Sequence, residues 1–343
     1  MGDWRTDPTF AMCRALVEGA DLASFAGGAF DVRAVVAGIR PETKRGFLLD
    51  AVPWGNFPHG DRAREAVHQL HTGDSPARHA TGVLGGLCAN DSRAAAALAV
   101  PFLIPIATDA RHPHRADALG VLSAPARSRH FGVASRDELL LYRTDPRRHA
   151  SDDYDDYGVE VTGYPAGWSV AAARAAITTE TPLLLPLLDD PDPSIRIDAA
   201  YALATAADPD HTVRTAVVTR LATERDAMVR AALLLATAEI TRAHPHPPTV
   251  MWLWERWHDQ TEPPEARLSA AVGWLCLTDQ SAPEELRRTV DTLADNERAH
   301  AMEALPWMSA ASGTTEPGLL RCRRCMLHPE EPDPEEVFWD SLF

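Results

Sequence analysis

Two stretches of this chain lie 81 residues apart and carry the same pattern, which restricts the fold more than any other feature of the sequence. Pro101-Phe-Leu-Ile-Pro105 returns as Pro182-Leu-Leu-Leu-Pro186. Four residues after each second proline stands an aspartate, Asp109 or Asp190, and six further on an arginine, Arg115 or Arg196. Asp117 and Asp198, Ala118 and Ala199, and Leu122 and Leu203 follow in register. Fixed-period self-similarity of this kind marks a repeat architecture, in which each unit buries its apolar face only against its neighbours.

Shorter spacings expose the unit within that offset. Arginines open Ala/Leu-rich stretches at Arg78, Arg115, Arg196, Arg230, Arg267 and Arg298, with gaps of 37, 81, 34, 37 and 31, so 81 reads as two units. A unit of about 30–40 residues holding two apolar helices has the size of a helical solenoid repeat. Asp189-Asp-Pro-Asp-Pro193 and Ala207-Asp-Pro-Asp210 supply turns in which Pro stops one helix and Asp caps the next. Ile195, Ala199, Ala202 and Leu203 then fall on one helical face, where the small alanines admit a close neighbour.

The segment Pro186-Leu-Leu-Asp-Asp-Pro-Asp-Pro-Ser-Ile-Arg-Ile-Asp-Ala-Ala-Tyr-Ala-Leu203 resembles a HEAT repeat of the short bacterial kind, also called phycobilisome-lyase-type. The likeness is strongest over 170–240, fair over 70–122 and 262–310, and is to actinobacterial HEAT-repeat domain proteins. It implies an all-α, right-handed α-solenoid of about seven or eight antiparallel helix pairs. It also implies a ladder of inter-repeat contacts between turn aspartates and helix arginines, here Asp109 with Arg115, Asp190 or Asp192 with Arg196, and Asp226 with Arg230. The unit at Arg267 departs, because Glu262 and two prolines replace the aspartate. The resemblance supplies no activity.

The expected organisation is N-terminal repeats over 1–122, an acidic and aromatic insertion over 123–168, further repeats over 169–316, and a Pro/Glu-rich tail or cap over 317–343. A short helix is expected at Asp137 to Tyr142, and a small β excursion where Val159, Val161 and Gly163 alternate with polar residues. Gly82, Gly85 and Gly86, inside an Ala/Leu helix, are read as sites of close helix packing. Phe338, Trp339, Leu342 and Phe343 are the apolar residues of a terminal cap.

Charge then narrows the partners. Lys and Arg number 33 against 49 Asp and Glu, a net charge of −16. Non-specific binding to DNA or to an anionic membrane relies on the opposite sign, so neither is an expected partner. No apolar run approaches the roughly 20 residues that span a bilayer, and no basic and then apolar leader opens the sequence. Five scattered cysteines suit a reducing cytoplasm better than a disulfide framework.

Four carboxylates and two tyrosines, Asp152, Asp153, Tyr154, Asp155, Asp156 and Tyr157, form the most unusual local feature. They suit a docking loop for a basic partner or an oxygen-ligand site for a hard cation, against the plain alternative of a solvated loop. The turn glycine of a calcium loop is absent. Cys322-x-x-Cys325 followed by His328 has the spacing of half a zinc site, and completing it needs His300 or Cys276. The flanking arginines would lower a thiol pKa, yet two ordinary reduced cysteines explain the pair as well. The histidine pairs His112/His114 and His244/His246 read as solvated loop residues. Of Trp252, Trp254 and Trp257, two are expected in the core.

No His-Glu dipeptide occurs, which argues against the di-iron hydroxylases built on HEAT repeats. Gly-x-Ser-x-Gly, P-loop and Rossmann glycine motifs are missing, so no cofactor is expected. The leading expectation is a cytoplasmic scaffold or adaptor for a basic protein, such as a cationic toxin neutralised by an immunity protein. The alternative is an enzyme or ligand carrier with a pocket between the insertion and the concave face, for which Trp168, Tyr164, Tyr157 and His130 are the test residues. A HEAT-like DNA glycosylase ranks below both, because its basic DNA-holding face conflicts with the net charge.

Overall fold

The computed structural model describes residues 6–73, 76–90, 92–127, 133–140, 160 and 162–334. Among these the chain forms eighteen α-helices with short 3-10 turns and no β-strand, so the fold is all-α. None of the helices described is long and apolar enough to cross a membrane. Two compact units divide the chain: Met1–Ser128 with Thr144–Leu184 and Thr205–Ala207, and Arg129–Arg143 with Leu185–Ala204 and Asp208–Phe343.

The first unit contains α1 (Ala11–Val17), α2 (Val32–Gly38), α3 (Pro41–Arg45), α4 (Gly60–Thr72), α5 (Ala77–Asn90), α6 (Arg93–Thr108), α7 (Arg115–Leu122), α8 (Ala166–Thr179) and α9 (Thr181–Leu184). Its centre is α6, whose sequence Arg-Ala-Ala-Ala-Ala-Leu-Ala-Val-Pro-Phe-Leu-Ile-Pro-Ile-Ala-Thr is apolar on every side. A helix without a polar face has to be enclosed. Accordingly α2, α3, α4, α5, α7, α8 and α9 all pack on it. The lone lysine, Lys44, belongs to this unit and closes a part-buried ion pair with Glu180 at 2.6 Å.

The second unit contains α10 (Pro193–Leu203), α11 (Thr212–Thr223), α12 (Ala227–Ala243), α13 (Pro247–His258), α14 (Pro264–Leu277), α15 (Glu284–Leu293), α16 (Asn296–Met302), α17 (Pro306–Ala311) and α18 (Gly318–Leu327). Here the enclosed helix is α12, buried without interruption from Ala231 to Arg242 and packed against α10, α11, α13 and α14. Residues 133–140 go with this unit. Arg242, at the end of α12, donates to the carbonyls of Arg136, Asp137 and Cys276 at 2.6, 2.9 and 2.7 Å. Arg136 in turn donates to the Gln280 carbonyl at 2.7 Å.

Helix boundaries follow the turn chemistry. Asp192 caps α10 by accepting the Ser194 N–H at 2.9 Å, and Asp226 caps α12 by accepting those of Met228 and Val229. Proline occupies the first position of α10, α13, α14 and α17, where its missing N–H costs nothing. Ile195, Ala199, Ala202 and Leu203 are all buried, as one apolar face requires.

The 81-residue counterparts are not alike in local structure. α6 runs through Pro101 and Pro105, whereas Pro182 lies in the four-residue α9 and Pro186 in a 3-10 turn over Leu185–Asp189. Proline removes a helical hydrogen bond and crowds the preceding turn. α6, enclosed by seven neighbours, continues through that strain; the second copy breaks at Glu180, after α8.

Two expectations need correction. Residues 135–139 form a turn, with the Leu139 N–H on the Ser135 carbonyl at 3.1 Å, in place of a helix from Asp137; Tyr142 lies outside the described residues. The β excursion is also absent from what is described: Glu160 to Tyr164 closes as a turn, with Gly163 at φ +82°, and Val159 and Val161 lie outside the described residues. Phe338, Trp339, Leu342 and Phe343 lie outside them too.

Close packing falls on glycines other than those expected. Cβ atoms added at Gly82, Gly85 or Gly86 would meet nothing within 4 Å, whereas one at Gly273 in α14 would stand 2.8 Å from the Ala238 Cβ of α12. The Gly273/Ala238 pair is what lets α14 approach the enclosed helix. Gly273→Val should therefore cost about 1–3 kcal/mol through overpacking. Gly82→Ala should be neutral or gain up to about 1 kcal/mol through helix propensity. Urea unfolding of the two variants beside the parent protein checks both.

Candidate functional site

Tyr164 and Trp168, named above as pocket residues, are brought together in the first unit. Tyr164 is fully buried against Phe57. Its hydroxyl donates to the Phe30 carbonyl at 2.8 Å and accepts the Val32 N–H at 3.0 Å, which anchors the start of α2. Burial pushes its phenol pKa up. Trp168 meets the Tyr164 ring edge-on and carries the Arg33 guanidinium 4.0 Å above its own ring. Arg33 is fixed by both oxygens of Asp31 at 2.9 and 2.8 Å. The carboxyl of Asp31 titrates below its usual range: burial opposes this, but Arg33 and the Gly27 amide outweigh it. Asp31 and Arg33 escaped the sequence reading, which has no means of placing residue 33 beside residue 168.

Beside this cluster lies Glu160, an acid of the insertion. Its carboxyl is withdrawn from solvent although the residue as a whole is half-buried, and one oxygen accepts the Ser169 hydroxyl. Burial pushes its pKa up to about 7. Ser169, the Arg93 charge and the amides of Arg93 and Ala94 at the start of α6 pull the other way and do not cancel it. The thiols of Cys13 and Cys88 are raised to about 11 and about 12, first by burial and further by the nearby Glu160. The arrangement gives a carboxyl that exchanges its proton near neutrality, flanked by two thiols that stay protonated there.

The sign of the linkage follows. An acid raised in the folded state holds a proton that the unfolded chain releases between about pH 4.5 and 7. Its contribution to stability is thus present below pH 4.5 and lost as pH rises through 7. Glu160→Gln should remove that loss, leaving the variant roughly 2 kcal/mol more stable relative to the parent at pH 8 than at pH 5. Urea melts of both proteins at the two pH values provide the measurement.

In the second unit Arg196 and Arg230 make equivalent bonds, whereas Arg267 donates its Nε to the Trp257 carbonyl and Arg298 donates its own back to Glu265. Arg196 donates one amino group to the carbonyl six residues back, Asp190 O, at 2.7 Å, and its Nε to Glu224 at 2.9 Å. Arg230 donates to the carbonyl six residues back, Glu224 O, at 2.9 Å, and its Nε to Glu262 at 3.0 Å. Each arginine thereby links its own turn to the next one. The carboxylates in these links are glutamates: Asp226 turns its own to the amides of α12, Asp190 accepts the Asp192 N–H at 3.0 Å, and in the first unit Asp109 accepts that of Arg111 at 2.9 Å. The signal lay in the sequence as acids 28 and 32 residues ahead of the arginines, but only the fold picks them out. Glu224 titrates low despite burial, because the Asp226 and Arg225 amides and then Arg196 and Arg220 hold its charge. Glu262 joins Arg230 to Arg256 at 3.1 Å. Glu262→Gln should cost roughly 3 kcal/mol by leaving two guanidiniums without their acid, read as a drop in the urea midpoint.

The remaining candidates are placed as follows. All five cysteines are free, and Cys322 is fully buried with its thiol raised well above the ordinary value by burial, the reverse of the lowering expected from its arginine neighbours. His328 turns to Asp291 at 2.9 Å. Among the described residues no group of three or more His, Cys, Asp and Glu side chains is arranged to hold a metal ion, so Cys322, Cys325 and His328 do not assemble as a site. The histidine pairs are not simply solvated: His244 Nε2 accepts the Asp208 N–H at 3.0 Å, and His112 lies 3.1 Å from the His71 carbonyl. Trp257 is fully buried, while Trp252 and Trp254 are half-buried, Trp254 packing on Trp257 and Trp274. Asp152, Asp153, Tyr154, Asp155, Asp156, Tyr157 and His130 lie outside the described residues.

No family model, curated protein or solved structure matches the chain.

Proposed function

We propose that this chain is a HEAT-like α-solenoid acting in the cytoplasm as a scaffold or adaptor for a basic protein partner. The observation that carries the reading is the repeated arginine link. Arg196 and Arg230 stand 34 residues apart, each bonded to the carbonyl six residues back and to a glutamate of the following turn. Identical links at a repeat-length spacing are what stacked helix pairs require, because each unit must be registered on the next. Such stacks present long surfaces rather than a single deep pocket. The net charge of −16 favours a cationic partner, mainly by quickening and selecting the encounter. The acidic run 152–157 is the docking element of this proposal.

The test is native mass spectrometry of the tagged protein isolated gently from its own cytoplasm. A stoichiometric polypeptide adduct with a pI above about 9 supports the reading. An acidic polypeptide or an adduct of a few hundred daltons overturns it. With the partner in hand, deleting 151–157 should weaken binding and flatten its dependence on salt, measured by calorimetry at two sodium chloride concentrations.

A further inference from the structure

Histidines gather where the end of α4 meets the turn between α6 and α7: His71 on the helix, His112 and His114 in the turn. The His112 ring is engaged at both nitrogens. Its Nε2 lies 3.1 Å from the His71 carbonyl, and its Nδ1 accepts the His114 N–H at 3.2 Å. A carbonyl only accepts and an amide N–H only donates, so Nε2 carries the proton and Nδ1 is bare. Through this one tautomer the turn that opens α7 is tied to one of the last carbonyls of α4. Those carbonyls have no partner inside their own helix.

The surroundings leave a second proton on His112 badly placed. Phe47 stacks face to face on His71, with ring centroids 3.5 Å apart and planes 9° from parallel, and leans on Phe102 of α6 at 6.2 Å. Phe47 is held at φ +47°, a conformation that a bulky residue rarely adopts. His71 is thereby pinned, with the His112 ring 6.3 Å from it and the His114 ring 6.1 Å from His112. His71 titrates below 6.5, first through partial burial and then through the charges of His112 and His68. Its contribution to stability is thus present above pH 6.5 and lost as pH falls through that lower value.

The acids of the turn and of α7 are directed elsewhere: Asp109 accepts the Arg111 N–H at 2.9 Å, and Asp117 faces His114 Nδ1 at 3.5 Å. Arg111 and Arg115 add positive charge from the same segment, and α5 opens with Arg78 and His79. From α3, Lys44 is paired with Glu180, and Arg45 donates to the Pro41 carbonyl. The carbonyl end of α4 does favour a cation, but only with the modest strength of a helix terminus open to solvent.

We propose that His112 is an acid-released latch between the end of α4 and the α6–α7 turn. With a proton on Nδ1 the ring has no acceptor left, and its new N–H points at the His114 N–H. The ring cannot keep both contacts, and His71, pinned by Phe47, cannot withdraw to relieve the charge. The turn at the start of α7 then opens.

The test follows the whole protein by NMR from about pH 7.5 to about pH 5, the range in which histidine gains its second proton. At the higher pH the ring-nitrogen spectrum should show His112 with Nδ1 bare and Nε2 protonated, and the His114 amide should exchange slowly. At the lower pH Nδ1 should carry a proton. Exchange at His114, corrected for its intrinsic pH dependence, should then quicken about five- to tenfold. In His112→Asn the side-chain carbonyl accepts the same amide and does not titrate. That variant should keep His114 protected at both pH values, and its His71 ring should titrate at a higher pH than in the parent. The readings on the parent protein decide the matter without the variant. The proposal is overturned if His112 carries its proton on Nδ1 at the higher pH, or if His114 is equally protected at both. It is overturned as well if His112→Asn, folded by circular dichroism, opens in acid as the parent does.

Discussion

α12 is enclosed on every side, and that one constraint organises the second unit. A helix buried from Ala231 to Arg242 has to find most of its hydrogen-bond partners within the protein. Thr237 does so by returning its hydroxyl to the Leu233 carbonyl at 2.7 Å. Glu239 accepts the indole N–H of Trp307, which brings α17 into place and seats Tyr201 of α10 edge-on against the same ring at 4.7 Å. Arg230 at one end and Arg242 at the other carry the remaining bonds outward, to the turn before α14 and to residues 136 and 137. The polar residues of an apolar helix thus become the fixings of its neighbours.

The first unit solves the same problem with fewer polar atoms. α6 has almost nothing to satisfy along its length, so its demands gather at its ends. At the start, the amides of Arg93 and Ala94 and the Arg93 charge face Glu160, a residue from far along the chain. Shape supplies the rest: alanines at 94–97 and 99 leave room for the surrounding helices, as Gly273 does for α14 beside α12.

Much of this was legible beforehand. The 81-residue offset, the Asp-Pro turns and the Ile195–Leu203 face pointed to paired apolar helices, and the cap at Asp192 stands where turn chemistry put it. Local rules reach that far because a cap or an apolar face depends on residues only a few positions apart. The glycines of α5 misled for the opposite reason: small residues at helical spacing invite close packing, but only the neighbouring backbone decides whether anything comes near. Tyr164 was chosen as a pocket residue, and its side chain instead holds α2, a contact across 132 residues.

By itself, then, the sequence determined the helical class, the cap that opens α10 and the acidic character, since these follow from propensity, periodicity and charge. The tertiary structure decided which acids answer the arginines, where α6 continues through its prolines and its counterpart breaks, and which carboxyl loses its water. Those outcomes depend on desolvation and on distances between residues remote in the chain. Glu160 shows the difference most plainly: in the sequence it is one acid near an acidic run, and in the fold burial outweighs Ser169, Arg93 and two backbone amides and takes its pKa to about 7.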